Sequence, residues 1–203
     1  MLMLYSPKAA ERIIGKYDRT IEAVSMRYAL PAPLIRALLY TELVRIDIFD
    51  PAVDLLVRLN SALGTDFLRR RDSSTGYGQI FAFVAINAAN FAAERGLASY
   101  AALGLPERRL DPSDAADLRL VWRRLNREPD FNIEMSSLNL ISAADEVTGR
   151  IDFSSFTPEE IKRIYTRYNG TAPKITPYGE EAYSHYLRYA AAQAGIDKPC
   201  AGC

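Results

Sequence analysis

The sequence holds one histidine, His185, and two cysteines, Cys200 and Cys203, both in the last four residues. A multi-histidine metal centre is therefore excluded, and the HExxH pattern is absent. The C-x-x-C at the end of the chain has no second pair and makes a poor zinc site, while Gly202 breaks the pattern of a prenylation box. There is no GxGxxG, no Walker loop and no GxSxG. No apolar run reaches the roughly 18 residues of a membrane span. Neither sign of charge is in excess: 25 Lys and Arg balance 25 Asp and Glu, with a pI near 6.6. That balance argues against nucleic-acid binding through a general basic field. The opening MLMLYSPKAAERIIGKYDR carries only a short apolar stub, where a secretory h-region needs about 7–15 residues. No metal or other cofactor is expected, and carboxylates are the tools left for chemistry.

What is present is enough for one globular domain. A chain of 203 residues, 49% apolar and 25% charged, buries most of its unfolded surface without disulfides or metal. Its punctuation is helical. Ser6-Pro7 reads as an N-cap followed by proline in the first turn, opening a helix that runs to about Tyr28. Pro31 and Pro33 close that helix and start the next, from Leu34 to about Arg45. Asp50-Pro51, Asp111-Pro112, Thr157-Pro158 and Thr176-Pro177 repeat the opening signal, and Thr157 with Glu160 completes a capping box. Gly149, Gly170 and Gly195 stand where helices should end. The stretch from Thr65 to Ile80, with its arginines, Asp-Ser-Ser-Thr cluster and glycines, reads as a loop or short β-hairpin. The expected architecture is a mainly α domain over residues 1–195, with a loose tail at 196–203.

The most informative residue lies on the second of these helices. Leu34, Ile35, Leu38, Leu39 and Ile46 span a stripe about 140° wide at helical spacing. Glu42 falls in the middle of it. A glutamate there points into the core or into a cleft cut in it, and burial raises its pKa toward the range useful to a general acid. The plainer alternative is a core-edge glutamate paired with Arg45, three residues on.

Further along come Gly76-Tyr77-Gly78-Gln79-Ile80 ahead of an apolar helix, then Trp122, and then Asp130-Phe131-Asn132-Ile133-Glu134 at a helix start. Tyr168-Asn169-Gly170 follows, ahead of a tyrosine-rich terminal helix. This order resembles the lysozyme-like superfamily, specifically the soluble lytic transglycosylases and goose-type lysozymes. In that family a catalytic Glu ends a helix, followed by G-L-M-Q-I, an N-I pair heading a helix, and Y-N-A-G. The resemblance places the acid on Glu42, G-L-M-Q-I on Gly76 to Ile80, N-I on Asn132 and Ile133, and Y-N-x-G on Tyr168 to Gly170, over about residues 30–190. Leu43 replaces the usual Ser after the acid, Gly78 the Met, and no alanine separates Asn169 from Gly170. The interval between Glu42 and Gly76 is nearer the goose-type pattern and holds an additional expected helix, Pro51 to Leu63.

The resemblance implies a lysozyme-like fold and a muramidase that cuts the β-1,4 bond between N-acetylmuramic acid and N-acetylglucosamine in peptidoglycan. Glu42 would protonate the glycosidic oxygen. An inverting hydrolase needs a second carboxylate to activate water, for which Asp72 and Asp47 are the leading candidates; Asp50, Asp54 and Asp66 also lie nearby. Asp50 already serves as an N-cap, and Asp72 suits an Asx turn beside Ser73 and Ser74. A lytic transglycosylase needs no second carboxylate, because the muramic acid 6-hydroxyl closes on its own anomeric carbon. Ser73, Ser74, Tyr77, Gln79, Tyr168 and Asn169 are the expected substrate contacts, with the Thr75 hydroxyl beside them. Tyr178, Tyr183, Tyr186 and Tyr189 form either a sugar platform or a packed stripe, and Arg69 to Arg71 either attract the anionic wall or are simply solvated. A non-catalytic glycan-binding or structural module, or an all-α interaction protein, are the competing readings. Peptidoglycan strands are the expected partner. Without a Sec signal, synthesis in the cytoplasm and delivery to the wall or periplasm by a non-Sec route is expected, as for a phage lysin or an effector with an immunity protein and a secretion or phage-tail carrier.

Overall fold

The computed structural model describes residues 4–46, 73–170 and 172–195. Among these the chain forms α1 (Pro7–Lys16), α2 (Asp18–Tyr28), α3 (Ala32–Arg45), α4 (Ala82–Glu94), α5 (Ala115–Arg127), α6 (Pro129–Thr148), a short 3-10 turn (Phe153–Ser155), α7 (Pro158–Asn169) and α8 (Pro177–Gln193). The fold is mainly α, and extended pairing among the described residues is limited to one antiparallel bridge, Thr75 to Ile80. No helix among them is long and apolar enough to cross a membrane. The expected helix at Pro51 to Leu63, the arginines 69–71, Asp50, Asp54, Asp66 and the tail at 196–203 all lie outside the described residues.

Most helix boundaries follow their signals. Ser6 caps α1 by accepting from the Ala9 amide, Thr157 and Glu160 form the reciprocal capping box of α7, and Thr176 caps α8. Gly149 ends α6 in the left-handed conformation at φ 69. Two expectations need correction. The single helix expected up to Tyr28 is broken at Tyr17, two residues after the helix-weakening Gly15, where the Tyr17 ring packs on Tyr77 with centroids 5.4 Å apart. Asp111-Pro112 does not open a helix. The Asp111 carboxylate instead accepts from the Ser113 amide and hydroxyl in an Asx turn, and α5 begins four residues later behind the true cap, Asp114.

Two helices form the centre. α3 packs chiefly against α8 and is flanked by α1 and α2; α6 packs against α4, α5 and α7, and α7 in turn lies along α8. α3 is buried almost all the way round, from Ala32 to Leu43, with only Arg36 reaching out to Asp18 and Glu22 on α2. The stripe read from the sequence therefore understates the burial: a helix apolar on every side belongs in the interior.

One side chain joins the central α6 to the turn at 75–80. Asn132 accepts from the Gly78 amide at 2.8 Å and donates to the carbonyls of Thr75 and Leu125 at 3.0 and 3.3 Å. The turn presses so closely on α6 that a Cβ at Gly76 would meet Asn132 Nδ2 and one at Gly78 would meet Ser136 Oγ; Gly76 also sits at φ +72. Trp122 closes the other side by donating to Ser73 Oγ at 3.0 Å. Removing Asn132 strands buried amide and carbonyl groups. Asn132→Ala is expected to destabilise the fold by about 3 kcal/mol in denaturant titration, and to accelerate hydrogen exchange at the Gly78 amide more than at α1 amides.

Candidate active site

Glu42 occupies the last turn of α3, and Ile46 closes the helix by donating its amide to the Glu42 carbonyl at 3.1 Å. Its side chain is 8% exposed. The Tyr178 hydroxyl donates a hydrogen bond to Glu42 Oε1. Burial pushes the Glu42 carboxyl up to about 7; the Tyr178 hydrogen bond and the Arg45 charge act against that rise, and the Glu181 charge adds to it.

Tyr178 comes from the first turn of α8. Thr176 caps that turn and Pro177 starts it. Gly179 lets it press on α7, where a Cβ would meet Thr166 Oγ1 and the Lys162 carbonyl. Tyr178 itself is 2% exposed, and its own hydroxyl is pushed well up by burial and by the Glu42 charge. A phenol held so firmly in its protonated form is a permanent donor.

The alternative pairing of Glu42 with Arg45 is not what the structure shows. Arg45 Nη1 bonds Glu181 Oε2 on α8 at 2.7 Å, and its guanidinium lies 5.3 Å from the Tyr178 ring centroid. The cation thus sits beside the carboxyl without binding it, which leaves desolvation the dominant influence on Glu42.

A cleft of about 220 Å3 opens beside Glu42, and Ser74, Gln79, Tyr168 and Asn169 from the expected set all line it. Gln79 holds φ +43, and its side chain donates to the Gly76 carbonyl at 2.8 Å while accepting from Ser74 Oγ at 3.3 Å. It therefore staples its own turn as well as facing the cleft. Tyr168, from the end of α7, donates to the Gly78 carbonyl at 2.7 Å, and burial followed by the Glu42 charge raises its pKa. Three separate segments (the last turn of α3, the 74–79 turn and the end of α7) meet at one cleft.

Other expected contacts go elsewhere. Ser73 is buried under Trp122, and Thr75 Oγ1 accepts from Asn126 at 2.8 Å. Tyr77 points away from the cleft toward Tyr17. Of the α8 tyrosines, Tyr183 and Tyr186 pack on each other at 5.9 Å, and Tyr189 packs near Tyr40 and donates to Glu11. All three are partly buried against the core. His185 is wedged edge-on against Tyr40, 4.6 Å between centroids, with Nδ1 2.9 Å from Thr41 Oγ1. Asp72 and Asp47 lie outside the described residues. Asn139 lines the cleft and was not anticipated, although its spacing after Asn132 and Ser136 puts all three on one side of α6. Among the described residues no group of three His, Cys, Asp or Glu side chains converges to hold a metal ion.

No protein-family model, no curated protein and no solved structure matches the chain.

The raised pKa of Glu42 links folding to pH. Between the ordinary value of 4.5 and about 7 the folded chain keeps a proton that the unfolded chain has released. The stability contributed by the neutral carboxyl is complete below about pH 4.5 and is lost as pH rises through about 7. In denaturant titrations at pH 5 and pH 8, the wild-type chain should lose up to about 3 kcal/mol relative to Glu42→Gln at the higher pH.

Proposed function

We propose that this chain is a peptidoglycan-cleaving glycosidase that acts at the β-1,4 bond between N-acetylmuramic acid and N-acetylglucosamine, with Glu42 as its general acid. The observation that carries the reading is a carboxyl group in the wall of a cleft that burial keeps protonated up to about pH 7. A carboxylic acid with that pKa can give its proton to a glycosidic oxygen at neutral pH, where an ordinary glutamate is already ionised.

Oε1 is held by Tyr178, so the proton transferred is the one on Oε2. As it moves to the glycosidic oxygen, the bond from that oxygen to the anomeric carbon breaks and positive charge develops on the sugar ring. The carboxylate left behind is stabilised by the Tyr178 hydroxyl and by the nearby Arg45 cation. The amide of Gln79, the Ser74 hydroxyl and Asn169, which line the cleft, would orient acetamido and hydroxyl groups of the substrate.

In a hydrolase, Asp72 or Asp47 would take a proton from the water that attacks the opposite face of the ring. A second reading is intramolecular closure to a 1,6-anhydro sugar with Glu42 returning as base, which requires no second carboxylate. The bond cleaved is the same in both.

Mass spectrometry of digests from purified peptidoglycan tests the proposal. Wild-type chain should release muropeptides, and Glu42→Gln should lower the rate by about 10²–10⁴ or more while leaving the fold intact. Reducing-end products silenced by Asp72→Asn or Asp47→Asn mark hydrolysis; products lighter by one water mark closure. Full activity in Glu42→Gln overturns the assignment of the acid, and oligosaccharide binding without any product marks a glycan-binding module.

The pH profile supplies an independent measurement. kcat/KM should fall above about pH 7 as Glu42 ionises. Tyr178→Phe removes a hydrogen bond that favours the ionised form, so the alkaline limb should move to higher pH even as the maximal rate drops. An unmoved limb would separate Tyr178 from the acid.

A further inference from the structure

Two contacts join α3 to α8 beside the cleft, one helical turn apart. On α3, Glu42 and Arg45 are three residues apart and share a side of the helix; on α8, Tyr178 and Glu181 do the same. The inner contact runs from the Tyr178 hydroxyl to Glu42 Oε1, between two buried side chains. The outer contact runs from Arg45 Nη1 to Glu181 Oε2 at 2.7 Å, between side chains 45% and 39% exposed. The Arg45 guanidinium lies 5.3 Å from the centroid of the same Tyr178 ring whose hydroxyl holds the acid.

A different pairing is open to these four residues. Glu42 and Arg45, at i and i+3, are within reach of an ion pair along α3 itself, and Arg45 also lines the cleft. A direct pair would hold Glu42 ionised. What Arg45 bonds instead is Glu181. An ion pair as exposed as this one adds little to stability; its larger consequence is where it leaves the cation. The charged and titratable groups that act on Glu42 come from three helices: Arg45 on α3, Tyr178 and Glu181 on α8, and Tyr168 on α7. The 74–79 turn and α6 bring the uncharged Ser74, Gln79 and Asn139 to the cleft. Both tyrosines keep their protons, because burial and the Glu42 charge push their hydroxyls up. Among these groups Arg45 is the cation, and its position relative to the carboxyl is what a side-chain rotation can change.

We propose that Glu181 is a positioning residue for the Glu42 acid: it holds the Arg45 guanidinium against α8 and out of a direct ion pair with Glu42, so that the acid keeps its proton until the substrate takes it. This rests on the reading of Glu42 as the general acid and names the residue that guards its protonation. Glu181 acts through Arg45 and touches no reacting atom.

The test is an NMR titration of the Glu42 carboxyl carbon in the full chain, its signal assigned with Glu42→Gln. Glu181→Gln frees Arg45 to turn toward Glu42 and should lower the midpoint from about 7 by about one pH unit. Glu181→Asp keeps the charge and should leave the midpoint near that of the wild type. In an Arg45→Met background the Glu181→Gln change should move the midpoint much less, because no cation is left to relocate. An unmoved midpoint in Glu181→Gln overturns the proposal. An equal fall with and without Arg45 also overturns it, since that marks the simple loss of a neighbouring negative charge. With purified peptidoglycan, the alkaline limb of the rate should move down with the midpoint. An Arg45-dependent fall in the midpoint, in a chain whose wild type releases no product, sustains the role of Glu181 and overturns the cleavage. A limb that stays in place while the midpoint falls sustains the hold of Glu181 on Arg45 and overturns Glu42 as the acid of the reaction.

Discussion

A carboxyl group buried in the last turn of the central helix is the constraint around which this molecule is arranged. Glu42 lies on a helix packed on nearly every side, so water cannot solvate its charge as it would at a surface. The Tyr178 hydroxyl recovers part of that lost solvation, and it can do so only because α8 packs along α3. The packing depends in turn on the close approach of α8 to α7 at Gly179. The interface between α3 and α8 thus sets both the stability of the domain and the protonation state of its most consequential side chain.

The opposite wall of the cleft has a separate foundation. Asn132 holds the 75–80 turn against α6 through two hydrogen bonds, to the Gly78 amide and the Thr75 carbonyl, with a further bond to the Leu125 carbonyl of α5, and Tyr168 reaches the Gly78 carbonyl from α7. The turn contains a non-glycine residue at positive φ, Gln79, whose side chain bonds back to the Gly76 carbonyl. That strained conformation persists because the surrounding bonds determine it. Residues spread from position 42 to 169 are brought to one cleft by these two packing arrangements, with α7 taking part in both.

The charges near the acid follow the same economy. Arg45 could have neutralised Glu42 as a local partner, and a direct ion pair would have held the carboxyl ionised and unable to donate a proton at neutral pH. Its bond to Glu181 keeps the cation near the carboxyl without pairing with it, so burial remains the dominant influence and holds the resting acid protonated.

By itself the sequence determined the mainly α class, most helix starts and the burial of Glu42. These are local matters: an N-cap hydroxyl, a proline in the first turn and helical periodicity act within a few residues, and they survive any tertiary arrangement compatible with them. It missed the break at Tyr17 and misplaced the start of α5: at the first the Tyr17 ring packs on Tyr77 sixty residues away, and at the second Asp114 caps the helix while Asp111, three residues earlier, forms an Asx turn. Only the tertiary structure decided that Arg45 turns to Glu181, that Tyr178 alone among the α8 tyrosines bonds the acid, and that Tyr77 and Ser73 face away from the cleft. Those outcomes depend on which helices become neighbours and at what rotation. Side chains at equivalent helical spacing are indistinguishable until a second helix is packed against them.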